Sequence, residues 1–205
     1  MTDQPIIFSA PMIKALLDGR KSQTRRVLTG KSSIAAAHSV ERIGAHWIAC
    51  EYDRRWPLRL PYAPGGRLWV REAHALVPSS AYRMSDGVAQ AIDPADADSA
   101  CVYREGWERC APRWRPSIHM PRWASRLTLV VTDVRVTRLH DIIRGDAMAE
   151  GCPFSNMAAG PDPREWFRDL WISIHGPEAW AANPWVAALT FKTHRCNIDK
   201  MPEGV

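Results

Sequence analysis

Residues 126–139 read RLTLVVTDVRVTRL, and the reading of this stretch decides the fold. Val, Thr and Leu at this density suit a pleated sheet surface, whereas in a helix branched side chains crowd the preceding turn. The stretch is long enough for one strand that bends. Working outward, residues 185–192 (WVAALTFK) predict a closing strand. Residues 67–72 (RLWVRE) alternate as a half-buried strand behind the turn PYAPGG at 61–66. Trp166, Phe167, Leu170, Trp171 and Ile174 fall on one stripe, which predicts an amphipathic helix over 163–175 closed by Gly176. A shorter helix is expected from about residue 144 to Glu150 and Gly151. Near the start, residues 5–8 read as a short strand, and Pro11 opens a helix with Met12, Ile13, Leu16 and Leu17 as its apolar face. Gly19 ends that helix, and the chain turns through 20–23 into a strand over 24–28.

This order (strand, helix, several strands, two helices, strand) lacks the regular alternation of a doubly wound sheet. It predicts an α+β fold with a mostly antiparallel or mixed sheet, arranged as a small closed or nearly closed β-barrel with flanking helices. Residues 30–60 offer one plausible strand, at 47–51. Residues 76–118 read as an insertion. Within it, 84–100 is rich in Ala, Asp and Ser without a period, and 107–120 is rich in Trp, Arg and Pro, as in a long loop or lid. The 205 residues suit a single domain enlarged by that insertion.

With 46% apolar and 24% charged residues, the chain has the composition of a globular protein that buries a core without staples. A net charge of +5 favours an anionic partner such as a nucleotide or RNA, although no run of five like charges occurs. Ten tryptophans are too many for one small core to hide, so some are expected where a ring covers a pocket or stacks on a base. The five cysteines show neither C-x-x-C nor zinc-finger spacing, which points to free thiols in a reducing compartment and to no metal site. GRKSQT lacks the spacing of a phosphate-cradling glycine loop, and no cofactor is expected. The opening MTDQPIIFSAPM lacks the pattern of a signal peptide. No stretch approaches the roughly 18 apolar residues of a membrane span. A cytoplasmic location without membrane contact is expected.

Four segments, LLDGRKSQTRR (16–26), PGGRLWVRE (64–72), RLHDIIRGDAMAEG (138–151) and WVAALTFK (185–192), together resemble the ASCH domains of the PUA-like superfamily. In order and spacing they cover most of the chain outside 76–118. The longer architecture, including WRPSIHMPRWASR (114–126), is similar to uncharacterised ASCH-related proteins of bacterial viruses and prophages. The resemblance implies a PUA-like β-barrel and one of two activities. Some small bacterial members hydrolyse N4-acetylcytidine to cytidine and acetate, using a Lys, a Thr three residues later and a distant Glu. Others are regarded as RNA-binding, and some have been linked to RNA cleavage. The G-R-K-x-x-T pattern implies Lys21 and Thr24, and the D-A-x-A-E-G pattern implies Glu150. The implied partner is a modified cytosine nucleoside or nucleotide, or alternatively RNA.

Such a site is chemically workable. Covalent amide hydrolysis needs a hydroxyl nucleophile, a base and an acid for the leaving amine. Thr24 supplies the hydroxyl. Lys21 serves as base only if its pKa falls from about 10.4 toward roughly 7 to 8. Burial and the cations Arg20, Arg25 and Arg26 push it down, whereas Glu150 pulls it up. Glu150 is therefore expected to position Lys21 or the water, or to shuttle a proton to the leaving nitrogen. Arg20, Arg26, Trp69, Glu72 and Trp123 are the expected substrate contacts. Arg26 and Arg71 suit a phosphate or acyl oxygen, Trp69 and Trp123 a pyrimidine face, and Glu72 an exocyclic amine. Structural alternatives stand beside each. Lys21 can complement a helix dipole, Thr24 reflect β-propensity, and Glu150 be a solvated residue on a last helical turn. Glu72 can pair with Arg71 or Arg67, the tryptophans can be core, and His74 and His119 can be satisfied polar residues.

Overall fold

A computed structural model of the chain describes residues 3–28, 34–80, 90–109, 111–154 and 161–202. In chain order these form β1 (Gln4–Ile7), α1 (Ala10–Leu17), β2 (Gln23–Val27), β3 (Ser39–Ile43), β4 (His46–Glu51), β5 (Arg54–Leu58), β6 (Arg67–Arg71), β7 (His74–Pro78), β8 (Ala91–Asp93), β9 (Asp96–Tyr103), β10 (Thr128–Arg138), α2 (Arg144–Ala149), α3 (Pro163–His175), α4 (Pro177–Ala181) and β11 (Trp185–His194). The fold is α+β, mostly strand with few helices. Among the described residues no sheet closes into a barrel. No helix among them is long and apolar enough to cross a membrane. Where composition suits one domain, the chain groups into two compact units. The first comprises Met1–Gly19, Gly65–Val131 and Phe191–Val205, and the second Arg20–Pro64 and Thr132–Thr190.

In the first unit β1 runs parallel to β6, with Gln4 opposite Leu68 and Ile7 opposite Arg71. The start of β10 is antiparallel to β6, with Thr128 opposite Trp69. Helix α1 starts where expected. Pro11 sits in its first turn, where a missing N–H costs nothing, and Met12, Ile13, Ala15 and Leu16 are buried. Gly19 ends it at φ +73°, a left-handed conformation that glycine adopts without a Cβ clash. Within the expected 76–118 insertion, the part up to Tyr103 carries strands where a loop was expected, whereas the described residues of 104–116 form no helix or strand, as expected. Strands β7, β9 and β8 form an antiparallel sheet in that order, with Leu76 opposite Cys101 and Ala91 opposite the same Cys101. Residues 100–103 of β9 are buried in succession, whereas Asp96, Ala97 and Asp98 are exposed, so the strand carries no alternation to read. Trp107 and Trp114 pack on Ala75, Val77 and Val102. Residues 81–89 and Cys110 of that stretch lie outside the described residues.

In the second unit, residues 39–58 make an antiparallel meander β3-β4-β5 where the sequence offered one strand. Its inner face, with Val40, Trp47, Ala49, Trp56 and Leu58, packs against Val136 and Trp185. The outer face carries charge, which hides the strands β3 and β5 from a search for apolar runs. Strand β11 is antiparallel to β2, setting Leu189 opposite Thr24 and Ala188 opposite Arg25. Helix α3 begins at Asp162, whose carboxylate accepts from the Arg164 N–H, and it buries Phe167 and Trp171. These join Leu139, Ile142, Ala147 and Val186 in one core, and burial of Phe167 alone stabilises by about 2–3 kcal/mol. Ile174, expected on the same stripe, is exposed at the end of the helix. Of the ten tryptophans, Trp171 and Trp185 are buried and the other eight are half-buried.

Candidate functional site

The site is assembled where the segment entering β2 meets the end of α2. Before any side chain is considered, the backbone ties them together. Lys21 and Glu150 form an antiparallel bridge, and the Ser22 N–H donates to the Ala149 carbonyl at 2.9 Å. Lys21 Nζ then donates to Glu150 Oε2 at 2.7 Å and to the Glu150 carbonyl at 2.8 Å. Arg25 Nη1 donates to Glu150 Oε1 at 3.0 Å, so both carboxylate oxygens of Glu150 accept from a cation. One helical turn earlier on the same face of α2 stands Asp146. It accepts from Arg25 Nη2 at 2.7 Å, Arg135 Nη2 at 2.8 Å and Gln23 Nε2 at 3.3 Å. Arg25 also donates to Gln23 Oε1 at 2.7 Å, and its guanidinium lies 5.6 Å from the Phe167 ring centre. Arg25 Nε is buried and has no hydrogen-bond partner among the described residues.

The period of a strand explains who takes part. Lys21, Gln23 and Arg25 are two residues apart, and all three reach α2. Thr24 falls on the other side of β2, buried at 3% exposure. Among the described residues no hydrogen bond joins its hydroxyl to Lys21 or Glu150. Arg26, two residues on, shares the Thr24 side and is half-buried. Arg20 donates to the Gly151 carbonyl at 2.7 Å, just past α2.

Lys21 and Arg25 thus share Glu150, Arg25 and Arg135 share Asp146, and Arg135 also faces Asp133 at 3.9 Å. Lys21 is 3% exposed, and this burial is the main cause that holds its pKa below the ordinary lysine value. The charge of Glu150 and its hydrogen bond oppose the shift, while Arg26 and Arg25 add to it. For Asp146, burial pushes the pKa up, but the Arg135 hydrogen bond and the charges of Arg25 and Arg135 outweigh it, leaving the carboxyl below its usual value. Burial also lowers Arg26, against the opposing influence of Tyr62 and Glu150. The blander reading of Glu150 is corrected here: at 3% exposure it is not solvated. Lys21 is buried, and its donation to the Glu150 carbonyl at the end of α2 is compatible with the helix-dipole role as well.

Trp69, Glu72 and Trp123 belong to the first unit. Glu72 pairs neither with Arg71 nor with Arg67. Arg126 forks onto it, Nε to Oε1 and Nη2 to Oε2, both at 2.9 Å, with each residue 2% exposed. Arg126 also donates to the Glu105 carbonyl and stacks 4.2 Å from the Tyr103 ring centre. With both oxygens engaged by a guanidinium, Glu72 has the geometry of a structural pair rather than of an acceptor for a substrate amine. Arg67 instead holds Asp3 at 2.9 Å, and Arg71 lies over Trp69. Trp123 is half-buried against Cys101, Tyr103, Met120 and Ala124. His74 is buried, its Nδ1 3.4 Å from the Glu72 carbonyl, and burial lowers its pKa. This is the satisfied polar residue foreseen for it.

Sequence reasoning missed Asp146, Gln23 and Arg135 as partners. Two signals were present. QTRRV is a polar strand sequence next to a chain turn, and Asp146 precedes Glu150 by one helical turn. Among the described residues no three His, Cys, Asp or Glu side chains gather as metal ligands would. In comparisons with known proteins, no protein-family model, no curated protein and no solved structure matches this chain.

Proposed function

We propose that the chain is an amidohydrolase that removes the acyl group from N4-acylated cytosine nucleosides, converting N4-acetylcytidine to cytidine and acetate on a PUA-like (ASCH) scaffold. One observation carries the reading: a desolvated lysine, Lys21, held at 2.7 Å on a Glu150 carboxylate that it shares with the buried Arg25. In this reading Thr24 Oγ1 attacks the acyl carbonyl carbon and Lys21 Nζ takes the hydroxyl proton. Because Thr24 turns away from the Glu150 side of β2, one water relays that proton in the reactive complex. The tetrahedral oxyanion collapses, N4 departs with a proton returned by Lys21, and a second water cleaves the acyl-Thr24 ester to a carboxylate. Arg26, on the Thr24 side, is the candidate donor to the oxyanion or to a substrate phosphate. Glu150 acts as a positioning residue. Both its oxygens hold cations, which fixes Lys21 and Arg25 beside each other, and Arg25 neutralises part of the charge that would otherwise keep Lys21 protonated.

RNA binding on the same scaffold is the second reading. It draws on the net charge of +5 and on Arg135, whose side chain is 40% exposed. Chromatography of N4-acetylcytidine incubated with the protein, its Lys21→Ala form and its Thr24→Ala form separates the two. Cytidine released by the parent alone supports the hydrolase and both roles. Release by the Thr24→Ala form as well makes water, not Thr24, the nucleophile. Inertness of all three, with larger N4-acyl analogues inert too, leaves RNA binding.

A further inference from the structure

We infer that the first unit carries a separate binding cleft that takes the flat ring and phosphate of a nucleotide. The cleft is lined by Tyr103, Trp123, Arg126, Arg195, Asn197 and Lys200. Its walls are fixed by groups already committed to the fold. Asn197 Nδ2 donates to the carbonyls of Arg122, Trp123 and Ser125, which locks the turn that presents Trp123. The Tyr103 hydroxyl donates to the Ala124 carbonyl, and the Arg126 charge is balanced by Glu72. Two cations remain. Arg195 is exposed and makes one hydrogen bond, to the Leu17 carbonyl, and Lys200 is exposed with no ion pair among the described residues. No carboxylate lines the cleft, and neighbouring Asp199 is held by Arg122 at 2.6 Å.

A half-buried indole and two exposed cations lining one cleft are complementary to a ligand with a planar ring at one end and a phosphate at the other. The half-buried Trp123 indole offers the stacking surface. Arg195 and Lys200 supply charge-assisted donors with no competing anion. Both ends of the ligand are needed, so neither a nucleoside nor a sugar phosphate should suffice. This site stands independently of any chemistry at Lys21.

The test is calorimetric titration of the full chain with cytidine and adenosine 5′-monophosphates, with cytidine and ribose 5-phosphate as ligands lacking one end. Arg195→Gln with Lys200→Gln, both at exposed positions, should weaken monophosphate binding about tenfold. Trp123→Leu should weaken it while leaving the salt dependence intact, and Lys21→Met should leave it unchanged. The proposal is overturned if no monophosphate binds at millimolar concentration, if the double variant binds as the parent does, or if binding is lost with Lys21→Met instead.

Discussion

Each unit buries an ionic cluster, and the two clusters are built to opposite balances. Glu72 and Arg126 form a closed pair, one carboxylate forked by one guanidinium at 2.9 Å, with the cation stacked on Tyr103. Around Glu150, two buried cations, Lys21 and Arg25, share one carboxylate, and Arg25 Nε keeps a buried N–H without a partner among the described residues. A balanced pair gains its Coulomb energy in one geometry and has nothing left to offer a ligand. Burial chiefly lowers the pKa of Lys21, with Arg26 and Arg25 adding to the shift, and a lowered lysine pKa is the property a general base requires.

The largest effect expected from this contrast is on rate. Lys21→Ala should lower N4-acetylcytidine hydrolysis by about 10²- to 10⁴-fold while costing little stability, because Arg25 still pairs with Glu150. Thermal unfolding alongside the activity assay checks both halves. Next comes stability. Glu72→Ala leaves a guanidinium buried without its carboxylate and should destabilise by about 3–5 kcal/mol in urea unfolding, with hydrolysis per folded molecule unchanged. A variant that loses rate and keeps its stability at Glu72 would break the comparison.

Smaller effects sharpen it. The unfolded chain keeps the Lys21 proton to about pH 10.4, whereas the folded chain gives it up at lower pH. Between those points the unfolded state binds more protons, so stability attributable to Lys21 should rise with pH, and Lys21→Met should remove that slope. The rising limb of kcat/KM against pH should follow the same group. Arg25 lowers the Lys21 pKa, so Arg25→Gln should move the limb to higher pH, and Glu150→Gln to lower pH. The smallest effect is expected at the surface. Arg55 and Glu41 pair with side chains 55% and 52% exposed, and Glu41→Gln should change stability by less than about 0.5 kcal/mol.

Much of the fold that positions the site was legible, because its elements announce themselves locally. Pro11 and Gly19 bracket α1, β-branched density marks β10, and the tryptophan stripe marks α3. The sheet of β7, β8 and β9 was not legible: β8 has three residues, and β9 is buried on both faces at one end and exposed at the other. The meander over residues 39–58 was hidden by its charged outer face. At the site, Lys21 and Glu150 stood out through their motifs, yet their contact links residues 129 apart in the chain. Arg126 as the partner of Glu72 was equally distant from any local signal, at a separation of 54. Pairing across such distances is set by strand order and helix docking, which no window of sequence contains.

Lysine-detected NMR of the folded chain, with Lys21→Arg to assign the signal, measures the central property directly. The unbalanced cluster predicts a Lys21 titration midpoint below the ordinary lysine value, rising when Arg25 is changed to Gln. A midpoint at or above the ordinary value, insensitive to Arg25, would contradict the base assignment and make the cluster a structural salt-bridge network like that of Glu72 and Arg126.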